Sequence, residues 1–323
     1  MKNTSDIKRI RLGCFPTPIQ KLENISRITG TNVWIKRDDL TGIGLGGNKV
    51  RKLEFLMAEA LDQGAEVVFT TGQAQSNHAM LTAAACRKLG LEPILILKKR
   101  GVTDRKGNLL LNSLMNVDVR FMDTSSYADI YEEMDRAGKE LGRKYYKIPC
   151  GGSNGLGALG YVDCVREISE QQSNPELNIP SFNYIVCPEG SGGTHAGMAL
   201  GAMLYMPETT VIGAKVDTDP FEEITPDIVR DACRILELDR EIKDDDLRHI
   251  DACGSGYAIP SEEGNNAIKM MAEKEGPFLD PVYTGKAFGA LLRMAAEGVF
   301  TPTDNVLFVY SGGAGGLFAI DVD

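Results

Sequence analysis

Short apolar runs rich in β-branched residues alternate with segments of helical period along most of this chain. Val67-Val68-Phe69-Thr70 is followed by a helical pattern from Asn77 to Leu89, then by Pro93-Ile94-Leu95-Ile96-Leu97. The rhythm repeats in Val117–Met122, Ser126–Leu141 and Tyr145–Ile148. Strand, helix, strand in this order predicts βαβ units on a parallel sheet, because a parallel neighbour needs a crossover and a helix supplies it. One α/β unit is expected at roughly residues 50 to 160. Beyond it, Phe182–Cys187, Thr210–Val216 and Val306–Tyr310 read as buried strands, with helices such as Ala196–Leu204 and Gly264–Glu275 between them. An earlier strand, Trp34–Asp39, leads into a run of glycines and can join this later group, which would make the unit between them an insertion.

Composition narrows the function classes. A chain of 323 residues, 43% hydrophobic and 25% charged, is long enough for two packed cores. With 45 acidic and 35 basic residues the net charge is −10, so the long-range field repels nucleic acid and anionic membrane surfaces, and neither is expected as a partner. The start MKNTSDIKRIRLG lacks an apolar signal core, and no run reaches the roughly 18 apolar residues of a membrane span, so a cytoplasmic location is expected. Seven scattered cysteines never form a C-x-x-C pair, which predicts reduced core thiols and no metal site. The charge run Lys243-Asp244-Asp245-Asp246 reads as a solvated turn.

Three glycine or polar clusters sit where strands pass into helices. In GIGLGGNKVRKLEF, Lys49 follows glycines and Asn48 at the apparent start of a helix. A lysine is ordinarily a solvated side chain, but one held on such a turn and desolvated loses pKa and becomes nucleophilic. In Cys187-Pro188-Glu189-Gly190-Ser191-Gly192-Gly193-Thr194-His195, the loop is either a tight turn or an anion cup of convergent backbone N–H groups at a helix N-terminus. Neither the P-loop pattern nor a complete G-x-G-x-x-G is present, which disfavours ATP and NAD. Gln75, Ser76 and Asn77 open the third helix, where they can act as a plain N-cap or grip a carboxylate.

Together these segments resemble the fold-type II pyridoxal-phosphate enzymes, and within them the branch of 1-aminocyclopropane-1-carboxylate (ACC) deaminases and D-cysteine desulfhydrases. The resemblance covers nearly the whole chain. It runs through Pro16-Thr17-Pro18, Ile35-Lys36-Arg37-Asp38-Asp39, Gly46-Gly47-Asn48-Lys49, Gln75-Ser76-Asn77-His78 and Gly190–Gly197. It closes with Gly256-Tyr257, Leu279–Lys286 and Ser311-Gly312-Gly313. It implies two doubly wound, parallel or mostly parallel α/β domains of tryptophan synthase beta-like fold. Residues 1–48 and 163–323 would form the larger, cofactor-binding domain, 49–162 the smaller inserted one, with the active site in the cleft between them.

The resemblance also implies roles. Lys49 would carry pyridoxal 5′-phosphate covalently and act as base. Asn77 would bond the ring hydroxyl, and Gly192, Gly193, Thr194 and His195 would hold the phosphate, with Lys52 one helical turn after Lys49 reaching it as well. Gln75, Ser76 and Asn77 would grip the carboxylate of a small amino-acid substrate, and Tyr257 and Tyr283 would lie beside ring and substrate. Ser76 and Tyr283 would also be the proton carriers on the other face. Thr284 would face the ring nitrogen, where ACC deaminases typically have Glu and desulfhydrases Thr. L-Cysteate sulfo-lyases of the branch tend to show Ser-Ala-Lys and Gln where Thr284-Gly285-Lys286 and His195 stand here. The resemblance thus implies a homodimeric D-cysteine-cleaving lyase, with Ala79-Met80-Leu81 departing from the Val-Arg-Gln usual in desulfhydrases. Arg51 receives no role.

Overall fold

In a computed structural model the described residues are 2–240, 242–243 and 246–322. Asp244 and Asp245 of the expected charged turn lie outside them. Among these residues the strands are β1 (Ile19–Lys21), β2 (Asn32–Lys36), β3 (Val67–Gln73), β4 (Glu92–Lys98), β5 (Asp118–Met122), β6 (Tyr145–Ile148), β7 (Tyr184–Glu189), β8 (Thr210–Lys215), β9 (Arg248–Asp251) and β10 (Asn305–Val309). The helices are α1 (Glu23–Thr29), α2 (Lys49–Asp62), α3 (Asn77–Leu89), α4 (Gly107–Leu114), α5 (Tyr127–Leu141), α6 (Gly155–Gln172), α7 (Gly193–Tyr205), α8 (Phe221–Ile235), α9 (Glu262–Lys274), α10 (Thr284–Ala296) and α11 (Ala314–Leu317).

The strands form two sheets. One has the order β5-β4-β3-β6 and is parallel throughout; the other has the order β1-β2-β10-β7-β8-β9 and is parallel except for β1 against β2. The α/β class with mostly parallel sheets is as expected. β2 pairs with β10, Val33 opposite Val306, so two neighbouring strands of the larger sheet come from opposite ends of the chain. All four strands of the smaller sheet come from residues 67–148. The expected boundary after residue 162 falls inside α6, which runs unbroken from Gly155 to Gln172.

Burial explains the continuous apolar runs. Every residue of β3 is buried, because a central parallel strand has helices on both faces and no polar side to present. One core gathers Phe55 of α2 with Leu159, Val162 and Val165 of α6, Met198 and Leu200 of α7, and Ile185 of β7. On the other face of the larger sheet, Val33, Ile212, Phe288, Leu291 and Phe308 pack together. The smaller sheet has its own layers, with Val68, Leu81 and Ile148 on one side and Phe69, Ile96 and Met134 on the other.

Arg51 belongs to this architecture. Its guanidinium is buried, donates to Asp38 Oδ2 at 2.8 Å and Oδ1 at 2.9 Å, and donates to Glu167 Oε1 at 2.9 Å and Oε2 at 3.0 Å. Lys36 Nζ meets the same Glu167 at 2.5 Å, and the Tyr161 hydroxyl donates to Asp38 at 2.6 Å. Burial alone would raise the Asp38 carboxyl, but the charge and hydrogen bonds of Arg51, with Lys36 and Tyr161, together more than offset it and hold it below the usual range. The network pins the first turn of α2 to β2 and α6.

Candidate active site

Lys49 is the first residue of α2, placed by a loop that packs the chain against itself. A Cβ on Gly46 would lie 1.9 Å from the Asp39 carbonyl oxygen, and one on Gly47 2.8 Å from that of Ser311. These glycines therefore serve the close approach of backbone to backbone. Asn48 N–H donates to Ser311 O at 2.9 Å, and its side chain donates to Thr194 Oγ1 at 2.9 Å, tying the lysine turn to the glycine loop after β7. Lys49 lines the cleft between the sheets, and burial pulls its ammonium down to about 8.

The same cleft is lined by Ser76, Asn77, Gly192, Thr194, Tyr257 and Tyr283, six further residues singled out in the sequence. Ser76 caps α3, its hydroxyl accepting from Ala79 N–H at 3.1 Å, and Asn77 Oδ1 accepts from Asn108 Nδ2 at 2.7 Å. The hydroxyls of Tyr257 and Tyr283 are hydrogen-bonded to each other, and burial raises both phenols above their usual range.

Five of the residues singled out behave differently. Gln75 turns away from the cleft: its amide donates to the carbonyls of Val102 and Lys106, and its oxygen accepts from Asn108 N–H. With both its donors and its acceptor bound to that loop, the Gln75 side chain has no group left for a substrate carboxylate. The His195 ring also points away, fully buried with Nδ1 2.9 Å from Glu189 Oε1, so only the α7 N-terminus, not the imidazole, faces the glycine loop. Glu189 further takes hydrogen bonds from Thr225 and His249. Burial would raise this carboxyl, yet the two histidines bring it down to about 2.

Thr284 heads α10 with no exposed surface, its hydroxyl donating to Asp280 Oδ1 at 2.7 Å and accepting from Asp280 N–H at 2.8 Å. Gly193 and Lys52 stand behind the cleft wall. Lys52 Nζ donates to Gly151 O at 3.2 Å and Ser153 Oγ at 3.1 Å, and Ser153 Oγ lies 2.9 Å from Ser191 Oγ. A Cβ on Gly193 would come within 2.7 Å of Ser153 Oγ and 2.8 Å of Lys52 Nζ. Hydroxyls of Ser153, Ser191 and Thr194, a buried ammonium and the N-terminus of α7 thus converge on one loop. That donor set suits a phosphate monoester, and the reactive lysine beside it suits an aldehyde. The residues fit pyridoxal 5′-phosphate.

Several wall residues had no signal in the sequence. Cys150 lies beside the hydroxyl of Tyr127, 3.2 Å away, and its N–H donates to Tyr131 at 3.1 Å. Lys98 Nζ sits 3.4 Å from the centre of the Tyr127 ring. His78, also on the wall, bonds Thr70 through Nε2 at 2.8 Å, and burial together with the charges of Lys49 and Lys52 pulls its pKa well below the usual imidazole range.

Comparison with known proteins agrees with this chemistry. A protein of Thermotoga maritima, named provisionally as an ACC deaminase, is 41% identical over 96% of this chain and 98% of its own. The D-cysteine desulfhydrase of Klebsiella pneumoniae is 39% identical over 99% of this chain and 98% of its own. The crystal structure of an ACC deaminase homologue superposes with a TM-score of 0.89 at 38% identity, covering 97% of this chain and 94% of that one. Tomato threonine deaminase isoform 2, at 17% identity and a TM-score of 0.65 over 97% of this chain and 81% of its own, shares the fold. The profile of the family described as "Pyridoxal-phosphate dependent enzyme" matches residues 10–312, so this chain is a member of that family, a fold-type II enzyme with pyridoxal 5′-phosphate as its cofactor.

Proposed function

We propose that the enzyme catalyses α,β-elimination of D-cysteine to pyruvate, ammonia and hydrogen sulfide, with one water consumed, and that it accepts other β-substituted D-amino acids such as 3-chloro-D-alanine. The observation that carries this reading is Thr284: a neutral hydroxyl, not a carboxylate, heads α10 where the resemblance expects the partner of the ring nitrogen. The bound cofactor supplies an electron sink for charge developing at Cα. The nearby Asp280 carboxylate is taken up by the Thr284 hydroxyl and the N–H groups of Val282, Tyr283 and Thr284, so it is not free to favour the pyridinium, and the weaker sink suits loss of a good β leaving group.

Each role falls to residues of this chain. The Lys49 amine, with its pKa brought down by burial, takes the Cα proton. Ser76 and Asn77, at the N-terminus of α3, receive the substrate carboxylate without Gln75. The Tyr257–Tyr283 pair holds a proton for the departing thiolate. Gly192, Gly193 and Thr194, with Lys52, Ser153 and Ser191, hold the phosphate. The unit built on residues 1–48 and 163–323 and the one built on 49–162 close on the substrate from two sides, in a homodimer working in the cytoplasm.

The second reading is ACC deamination, which the name of the Thermotoga relative favours. An assay of D-cysteine, L-cysteine, 3-chloro-D-alanine, L-cysteate and ACC for pyruvate, sulfide and 2-oxobutyrate decides between them. Sulfide and pyruvate from D-cysteine are expected; 2-oxobutyrate from ACC as the dominant product would overturn the assignment.

A further inference from the structure

The segment that carries Tyr257 is held by one buried cation. Lys286 lies in the first turn of α10, 1% exposed, and its Nζ donates to the carbonyl oxygens of Cys253 at 2.6 Å and Gly256 at 2.7 Å. Its bonded acceptors are backbone carbonyls, and Asp217, Asp280 and Asp251 act on the ammonium only through space. It also stands at the positive end of the α10 dipole, where a cation is disfavoured. Neither helix stability nor a buried ion pair accounts for a lysine there, and burial pulls its pKa down.

What it grips is an improbable piece of backbone. Gly254 has φ +64°, Gly256 φ +146°, and Ala258, which has a side chain, φ +58°. A non-glycine residue in the left-handed region is disfavoured by the clash of its Cβ with the backbone and persists only where its surroundings fix it. Tyr257 stands between two of these residues, with its hydroxyl on that of Tyr283 and the Arg100 guanidinium 5.5 Å from its ring centre. Both phenols line the cleft.

We infer that Lys286 is a positioning residue: by clamping the carbonyls of Cys253 and Gly256 it fixes the Tyr257 phenol against Tyr283 and aims the pair into the cleft. This rests on the role given above to the two phenols. Lys286→Met keeps the apolar stem and removes the donors. Hydrogen exchange of apo Lys286→Met is expected to accelerate about tenfold or more in residues 252–259, with α9 and the remainder of α10 unchanged. With D-cysteine, kcat is expected to fall about 10- to 100-fold while KM and cofactor affinity stay within about twofold.

Tyr257→Phe should show a similar loss, and the double variant should be no slower than the slower single one. Lys286→Arg, which keeps donors, should recover at least about a tenth of wild-type kcat. Unchanged exchange in 252–259, additive losses in the double variant, or Lys286→Arg as poor as Lys286→Met would each overturn the inference. Should Lys286→Met fail to fold, the arginine variant decides by the same exchange and kcat measurements. A fully active Tyr257→Phe would refute the catalytic use of the phenol, and exchange would still judge the clamp.

Discussion

The reactivity of Lys49 can be tested before any substrate is known. Burial at the cleft wall brings its pKa from an ordinary 10.5 to about 8. Near pH 7.5, roughly a quarter of the amine is then neutral, against about 0.1% for an ordinary lysine, a gain of about 200-fold in the form that attacks an aldehyde. Mixing apoprotein with pyridoxal 5′-phosphate by stopped flow, at a series of pH values, should give a loading rate whose rising limb has its midpoint near 8. Borohydride should fix the label in the peptide that contains Lys49, and Lys49→Ala should take up no borohydride-stable label. A midpoint above about 10, or a label divided among surface lysines, would refute the claim that this site activates its lysine.

Three further outcomes follow from the geometry. Arg51→Ala leaves the carboxylates of Asp38 and Glu167 without their main counter-ion, and a loss of about 3–5 kcal/mol, read as a fall in Tm on the order of 10 °C, is expected by calorimetry. Glu189 has a depressed folded-state pKa of about 2, so its stabilisation is present above the unfolded carboxyl value and is lost as pH falls through that range. Denaturation between neutrality and about pH 3 should show roughly 2 kcal/mol less acid sensitivity in Glu189→Gln than in wild type. Gly193→Ala puts a methyl against Ser153 Oγ and Lys52 Nζ, and cofactor affinity measured by fluorescence titration should fall tenfold or more with Tm nearly unchanged.

The long elements were legible where one force decided them. β3, β4, β7, β8 and β10 are apolar runs because both sheet faces are covered, and α3 after β3, α5 after β5 and α7 after β7 are crossovers a parallel sheet needs. α6 was not legible. Its opening, Gly155-Leu156-Gly157-Ala158-Leu159-Gly160, reads as a loop because each glycine costs a helix about 1 kcal/mol. In the structure a Cβ on Gly160 would lie 2.4 Å from Arg51 O and one on Gly157 2.1 Å from Gly152 O, so tertiary packing requires small residues and overrides propensity. β1 and β9 escaped notice because, at three and four residues on the two sheet edges, they have almost no periodicity to detect.

Within the site, what a local motif carries could be read and what side-chain direction carries could not. The loop from Gly190 to Thr194 announces an anion cup, but nothing in the string says that Thr194 faces the cleft while His195, about 100° further round the helix, faces Glu189. Tyr127 from the start of α5, Cys150 and Ser153 from the turn after β6, and Ser191 from the loop after β7 form a wall only after the sheets have folded. The three cations of GIGLGGNKVRKLEF show the same division with a physical rule behind it. Residues 49 and 52 are three apart and share a face of α2, so both amines lie toward the cleft and its phosphate loop, and burial together with the Lys49 charge lowers the tendency of Lys52 to hold a proton. Residue 51 stands about 200° from 49 and must face the interior instead, where a cation survives only with carboxylates. Asp38 and Glu167 are those carboxylates, and the role that the motif withheld from Arg51 is to hold in place the turn on which Lys49 reacts.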